Sequence, residues 1–414
     1  DEIRLIECLE KFRKLSKSEG NFNEQLKVTK NVFKYLLKLL TPTQLQFSPI
    51  GGEKLASYVE KIWGYLKEAQ EHALGIAEFR RDNIIHQFRV FLLGCYILYR
   101  LYDESREYII KCFRKDLRLI CKCLVDKELI VGTRPEMRRL QSIIEEVGFR
   151  EILFMWMFSA IFHDIGKPID DAEEEIKGLI KTYKIEKGID IDKLVFIVDN
   201  LKIDRNKVME FIEQFVGLLR YNDKINFCKQ IRKFLYNRTG SGKKWDHGVL
   251  SATMLHSPLT REMRGGALCQ GRWYHYLPLF PPIIAIFLHT EPRYIFFTSL
   301  TQLLILCDEL QEWNRLTAIG DKEVMIFPCK SLHLELENKG GVFELKVFIP
   351  YERPIDVISQ EIFRRFDPKR RWKEIAKGKS INFNSLFRKI TIHVLLDQTG
   401  KICTIEMHPN GTYY

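Results

Sequence analysis

The chain has 414 residues, of which 46% are hydrophobic and 29% are charged, and its formal net charge is +11. This length and composition exclude an intrinsically disordered chain and predict two or three domains with a large buried core. The longest apolar runs, VFLLGCYIL at 90–98 and ILFMWMFSAIF at 152–162, are too short to cross a bilayer. They predict buried helices and no membrane partner.

Ten cysteines are scattered along the chain without the paired CxxC spacing of a structural zinc site. They predict reduced, mostly buried thiols and a cytoplasmic protein. The excess of basic residues favours an anionic, phosphate-containing substrate, which includes small nucleotides and single-stranded nucleic acid.

The predicted elements begin with helices. Residues 1–75 form an N-terminal helical region, because apolar residues recur at helical spacing in VFKYLLKLL at 32–40 and in LASYVEKIWGYLKEA at 55–69. Residues 76–317 form a second helical domain, which is interrupted at 170–245 by an insertion of charged amphipathic helices.

The pattern changes near residue 318. The segments VMIFPC, HLELEN and VFELKVFIP are rich in β-formers or alternate with period two, and turn residues separate them. A helix is predicted at 354–366, and the segments RKITIHVLLD and KICTIEMH then flank another turn. Residues 318–414 are therefore predicted to form a small C-terminal α+β domain, and the protein as a whole is predicted to be mainly α.

Imidazole and carboxylate side chains recur in or beside the apolar runs of the second domain. They are His86, His163, Asp164, His247, His289 and Asp308. Each such group needs a partner that offsets its lost hydration. One histidine on an apolar helix is most often a core residue, but six such groups suit a cluster of divalent ions such as Mn, Fe, Ni, Co, Zn or Mg.

His163 and Asp164 are adjacent, so they cannot share one stripe of a helix. At a helix end, however, both side chains can point into one cavity, and Gly166 and Pro168 supply such an irregularity. Asp164 could then bridge two ions about 3.5–4 Å apart through its two carboxylate oxygens.

The order His…His-Asp…His…His…Asp resembles that of the HD-domain superfamily of metal-dependent phosphohydrolases. HDIGKP at 163–168 is similar to the superfamily's HDxGK form, and HGVLSA at 247–252 to its segment with a histidine before small residues. AIFLHT at 285–290 is similar to the segment of the later histidine, and LLILCDELQEW at 303–313 to the last metal-binding helix. The resemblance covers residues 80–316.

This resemblance implies an all-helical HD-type domain that binds two divalent metal ions. The ligands implied for one ion are His86, His163, Asp164 and Asp308, and those implied for the other are Asp164, His247 and His289. His256 and His275 lie near the later ligands and are more plausible as loop or substrate-facing groups.

Basic residues near these segments are candidates for holding a substrate phosphate. Lys167 follows Asp164 by three residues, and Arg89 lies one helical turn from His86. Lys167 could instead cap a helix, and Arg89 could be an ordinary salt-bridge partner. Weaker candidates are Arg81, Lys243 and Lys244. The last two lie in NRTGSGKKW at 237–245, which lacks the full spacing of a phosphate-binding P-loop.

The function that we predict is that of a metal-dependent phosphohydrolase or phosphodiesterase. The resemblance implies that a hydroxide bridged by two ions attacks a nucleotide or a cyclic nucleotide, with Asp164, Lys167 and Arg89 as catalytic residues. An alternative is an HD-type nuclease for single-stranded DNA or RNA, which the net charge and the basic, aromatic tract at 363–389 favour. A less favoured alternative is a protein that senses a metal or a nucleotide without turnover.

Overall fold

The structure is a computed structural model that describes part of the chain. The longer described stretches are 22–42, 79–81, 83–126, 134–167, 277–290, 297–312, 316–319, 322–325, 332–351, 384–396 and 401–408. Shorter ones are residues 7, 9–11, 14, 247–248, 251–252, 255 and 295. The insertion predicted at 170–245 and the helices predicted at 55–69 and 354–366 lie outside the described residues.

Two compact units are formed from segments that are distant in the sequence. Unit 1 comprises Asp1–Ala77, Leu117–Val147 and Phe162–Thr290, and unit 2 comprises Glu78–Asp116, Gly148–Ile161 and Glu291–Tyr414. The units therefore do not follow chain order, and the domain boundaries predicted after residues 75 and 317 stay predictions.

Helices account for most of the described residues, as predicted. They are α1 Phe22–Leu40, α2 Asn83–Glu104, α3 Arg106–Asp126, α4 Arg134–Glu146, α5 Phe149–Phe162, α6 Phe280–Leu288 and α7 Ser299–Glu312. Residues 247, 248, 251, 252 and 255 are also helical. The two apolar runs that predicted buried helices lie in α2 and α5, and α5 is buried at every residue from 154 to 162.

Unit 1 contains α1, α4 and α6 together with the second half of α3. Helix α1 is amphipathic, because its buried apolar residues include two pairs at four-residue spacing, Val28 with Val32 and Phe33 with Leu37. Helix α6 has prolines in its first turn, where the missing N–H costs no intrahelical hydrogen bond, and residues 281–288 are all buried.

Unit 2 contains α2 and α7 and most of α5. Helices α2 and α5 approach closely at Gly94, where an added Cβ would lie 2.0 Å from the ring of Trp156. The Trp156 Nε1–H donates a hydrogen bond of 2.9 Å to the backbone oxygen of Phe91. Because no side chain fits at position 94, this glycine sets the contact between the two helices.

Two sheets also belong to unit 2. The smaller has the order β1-β2-β3 and consists of β1 Phe79–Arg81, β2 Leu316–Ile319 and β3 Lys322–Met325, all antiparallel. The larger has the order β4-β5-β6-β7 and consists of β4 His333–Asn338, β5 Phe343–Tyr351, β6 Lys389–Leu396 and β7 Lys401–Met407. Its central pair β5–β6 is parallel and its outer pairs are antiparallel.

The larger sheet is held to the helices of unit 2 through the residues that precede β6. The Tyr108 hydroxyl on α3 donates a hydrogen bond of 2.9 Å to the Leu386 backbone oxygen. Gln302 on α7 makes two hydrogen bonds with the Phe387 backbone, one in each direction. Asn384 donates to the carboxylate of Asp116 at 2.7 Å. The sheet is therefore anchored to α3 and α7.

The strands predicted from sequence at HLELEN, VFELKVFIP, RKITIHVLLD and KICTIEMH are confirmed as β4 to β7. The helical prediction is wrong at residues 79–81, which form a strand. Its pairing partners are residues 317–319, more than two hundred positions later in the chain. Periodicity within a short window carries no signal for such a pairing.

Candidate metal centre

The segment that contains His163 and Asp164 is a turn at the end of α5, as predicted. The helix ends at Phe162, and the Ile165 N–H contacts the Phe162 backbone oxygen at 3.4 Å. The Lys167 N–H then donates to the backbone oxygen of Asp164 at 3.1 Å. In this turn the two side chains do not follow the regular helical spacing, so both of these adjacent residues can belong to one site.

Asp164 lies at the middle of a cluster of basic side chains in unit 1. Its Oδ1 is 3.4 Å from His247 Nε2 and 3.7 Å from His289 Nε2. Its Oδ2 is 3.7 Å from His163 Nε2 and 3.5 Å from Lys167 Nζ. The two carboxylate oxygens therefore face different imidazoles, as a bridging carboxylate would.

The imidazole of His289 has a defined orientation. Its Nδ1–H donates a hydrogen bond of 2.6 Å to the backbone oxygen of Ile286. This bond leaves a lone pair on Nε2, which is buried and has no hydrogen-bond partner in the described part of the chain. Metal-ligating histidines commonly bind a backbone carbonyl through one nitrogen and the ion through the other.

The surroundings of Asp164 favour its charged form. Burial opposes ionisation, but Lys167, His163, His289 and His247 together hold the pKa of this carboxyl well below its usual range. The site thus keeps a carboxylate in a buried position, which is the protonation state that metal binding requires.

The geometry of this cluster fits a divalent ion. The ligand atoms of Asp164, His247 and His289 all lie within 4.8 Å of one another. Two ligands on one ion at about 2.1 Å are separated by roughly 3.0–3.4 Å, so the observed separations of Asp164 Oδ1 from the two imidazoles require only small adjustments.

Access to the cluster is uneven. His163 and His289 are fully buried, whereas the side chain of His247 is 25% exposed and that of Lys167 is 17% exposed. The solvent-accessible side of the cluster is therefore the side of His247 and Lys167.

The other two predicted ligands lie together in unit 2. His86 on α2 and Asp308 on α7 approach at 2.8 Å between Nε2 and Oδ1. His86 is buried, and the side chain of Asp308 is 20% exposed. This contact joins residues 222 positions apart and belongs to the packing of α7 against α2.

Two of the remaining candidates lie in described elements. Arg89 lies on α2 and is partly buried, and Arg81 lies in β1 rather than in a helix. Lys243 and Lys244 lie outside the described residues, as do His256 and His275. Their roles stay predictions.

Sequence reasoning missed several buried polar residues. The Ser251 hydroxyl accepts a hydrogen bond from the Gly166 N–H at 2.9 Å. Gln87 is fully buried, and neither polar atom of its side chain has a hydrogen-bond partner among the described residues. Asp116 and Asn384 form a buried pair. For Ser251 the one signal in the sequence was the run of small residues after His247. That run indicated the segment as a whole and did not indicate a role for the serine.

No family model, curated protein or solved structure matches the chain. Of the helices that the structure describes, none has the length and apolar character required to cross a membrane. The buried histidines and aspartate described above are therefore the observations from which a function can be inferred.

Proposed function

We propose that this protein is a metal-dependent phosphohydrolase whose site is built around Asp164. The observation that carries the proposal is the arrangement of this buried carboxylate, which has imidazoles facing both of its oxygens. One of these imidazoles places its Nε2, which has no hydrogen-bond partner among the described residues, 3.7 Å from Oδ1. A buried carboxylate surrounded by imidazoles, one of which donates its other ring N–H to a backbone carbonyl, is typical of a metal site.

The ligands proposed for the ion of unit 1 are Asp164, His247 and His289. The resemblance in residue order to the HD-domain superfamily supports a second ion with His86, His163, Asp164 and Asp308 as ligands. Divalent ions, when bound, supply a nucleophile at neutral pH and offset charge on phosphate oxygens.

Lys167 is the residue proposed to contact the substrate. Its ammonium is 3.5 Å from Asp164 Oδ2 and is partly exposed, so it can reach a phosphate that approaches from solvent. A fixed cation at this position would stabilise negative charge that develops on the phosphoryl group or on the leaving oxygen.

The proposal is tested by metal analysis combined with a hydrolysis screen. The screen would use nitrophenyl phosphodiesters, nucleotides, cyclic dinucleotides and single-stranded DNA and RNA, each with added Mn, Ni or Co. The wild type is compared with His289→Ala and with a control, His393→Ala, which changes a histidine on β6 that contacts Thr404. We expect two ions per chain in the wild type, fewer in His289→Ala together with loss of hydrolysis, and no change in the control.

The substrate that is hydrolysed best distinguishes a small-nucleotide enzyme from a nuclease. Binding of single-stranded nucleic acid should weaken steeply with added salt, because counterion release scales with the number of phosphates contacted. Binding of no metal under any condition would refute the proposal. Metal binding without hydrolysis of any substrate would refute the enzymatic part and leave a metal-binding protein.

A further inference from the structure

We propose that Ser251 is a positioning residue of the metal centre, whose hydroxyl oxygen sets the separation between the Asp164 carboxylate and the His247 imidazole. The inference rests on the proposed function, since it assigns a role to Ser251 only if Asp164 and His247 bind an ion. Ser251 does not contact the ion in this scheme and acts through the two ligands.

The geometric basis is one buried hydrogen bond between segments 85 residues apart. The Gly166 N–H donates to Ser251 Oγ at 2.9 Å, and both residues are buried. Gly166 is the second residue after Asp164 in the same turn. Ser251 follows His247 by four residues, a spacing of about one helical turn, and both residues are helical. The bond therefore ties the turn that carries one ligand to a helical residue close in sequence to the other.

A small displacement of the two segments that this hydrogen bond joins would change the distance between the proposed ligands Asp164 and His247. The contact of Asp164 Oδ1 with His247 Nε2, at 3.4 Å, is the shortest of the contacts between that carboxylate and the imidazoles. A metal ligand must be held to within about 0.5 Å, and hydrogen bonds of surrounding residues usually provide this restraint. A buried N–H also requires an acceptor, so the turn cannot move away from Ser251 without leaving the Gly166 N–H unsatisfied.

A second buried serine shows what an ordinary one does in this protein. The Ser159 hydroxyl on α5 donates to the backbone oxygen of Met155, four residues earlier on the same helix. That bond joins no separate segments and holds no ligand. Ser159→Ala is therefore the matched control, because it removes a buried hydroxyl of equal size without affecting the link between Asp164 and His247.

The experiment measures metal affinity directly. Mn²⁺ is titrated into metal-free wild type, Ser251→Ala, Ser251→Thr and Ser159→Ala by calorimetry, and bound Mn²⁺ is followed by electron paramagnetic resonance. Loss of a residue that orients a metal ligand typically weakens binding by about 10–100-fold, and we expect this loss in Ser251→Ala. Ser251→Thr keeps the hydroxyl and should recover most of the affinity, and Ser159→Ala should bind as the wild type does.

The free energy of unfolding of each variant, measured in EDTA, shows that the metal-free proteins are folded. Unchanged affinity in Ser251→Ala would overturn the inference, as would an equal loss in Ser159→Ala, which would show a general effect of core serines. If wild type and Ser251→Ala bind Mn²⁺ equally well, the role of Ser251 is contradicted but the proposed function is not. A wild type that binds no ion contradicts the proposed function and this inference with it.

Discussion

Asp164 in unit 1 and Asp116 in unit 2 are both buried carboxylates, but their neighbours differ in kind. Asp116 accepts short hydrogen bonds, 2.9 Å from the Ser299 N–H and 2.7 Å from the Asn384 amide. Asp164 has imidazole nitrogens and an ammonium at 3.4–3.7 Å instead. Burial raises the pKa of Asp116 to about 7 despite the hydrogen bonds that lower it, whereas the charged surroundings of Asp164 hold its pKa well below the usual range.

The surroundings of each buried acid indicate its role. Asp116 has neutral hydrogen-bond donors on both oxygens, and one of them is the first N–H of α7, so its role is to hold the start of that helix. Asp164 has neighbours that can share a cation with it. The two acids should therefore respond differently to substitution and to pH.

The same substitution at both acids should give opposite results for metal binding. Asp164→Asn removes the negative ligand and should weaken Mn²⁺ binding by a factor on the order of 1000, which corresponds to about 4 kcal/mol. Asp116→Asn should leave metal affinity unchanged. Titration calorimetry of both variants measures this difference, and equal losses would show that the two acids do not differ in role.

The pH dependence of stability should reveal Asp116. Because its pKa in the folded state is above its unfolded value of 3.8, the folded protein binds more protons between about pH 4 and pH 7. The contribution of Asp116 to stability is therefore fully present below pH 4 and is lost as the pH rises through 7, by up to about 4 kcal/mol.

Urea unfolding in EDTA across this range measures the effect. Wild type should be more stable than Asp116→Asn near pH 4, and the difference in unfolding free energy should shrink towards pH 8. A difference that stays constant with pH would mean that Asp116 is charged throughout, with its hydrogen bonds outweighing burial.

Lys167 should matter for turnover rather than for the fold. Lys167→Met removes the cation beside Asp164 and should lower kcat by about 100-fold at saturating metal, the loss typical of one transition-state charge contact. Lys389→Met removes a lysine that is paired with Glu406 on β7 and should leave kcat unchanged. Unchanged kcat in Lys167→Met would reduce Lys167 to an ion-pair partner of Asp164.

Gln87 is a buried polar residue that differs from Asp116, because its side chain has no hydrogen-bond partner among the described residues. Its replacement by leucine should raise the unfolding free energy by about 1 kcal/mol, because the cost of burying an unpaired amide is removed. Gln302→Leu is the matched control and should destabilise the protein, since Gln302 makes two hydrogen bonds with Phe387. Destabilisation by Gln87→Leu would show that this amide contacts a bound polar molecule.

Much of the local structure was predictable. Apolar residues at helical spacing indicated α1, and the alternation in VFELKVFIP indicated β5, in which Phe343, Leu345, Val347 and Ile349 are buried. The break after α5 was indicated by the adjacent His163 and Asp164 with a glycine nearby. These signals are local, because each depends on residues within one or two turns or along one strand.

The hydrogen bonds that support the site were not predictable. The bond between Gly166 and Ser251 spans 85 residues, and that between Asn384 and Asp116 spans 268. Neither serine nor asparagine carries a sequence signal for a distant partner, and the strand at 79–81 was missed for the same reason.

The sequence by itself determined the chemical types available to this protein, namely imidazoles and carboxylates placed in apolar segments, and the secondary structure that carries them. Only the tertiary structure decided that both oxygens of Asp164 face imidazoles, one of them that of His289, and that Asp116 is instead satisfied by hydrogen bonds. The reason is physical: hydropathy and backbone preference act over a few residues, whereas the state of a buried charge depends on whichever groups the packed chain brings within a few ångströms of it.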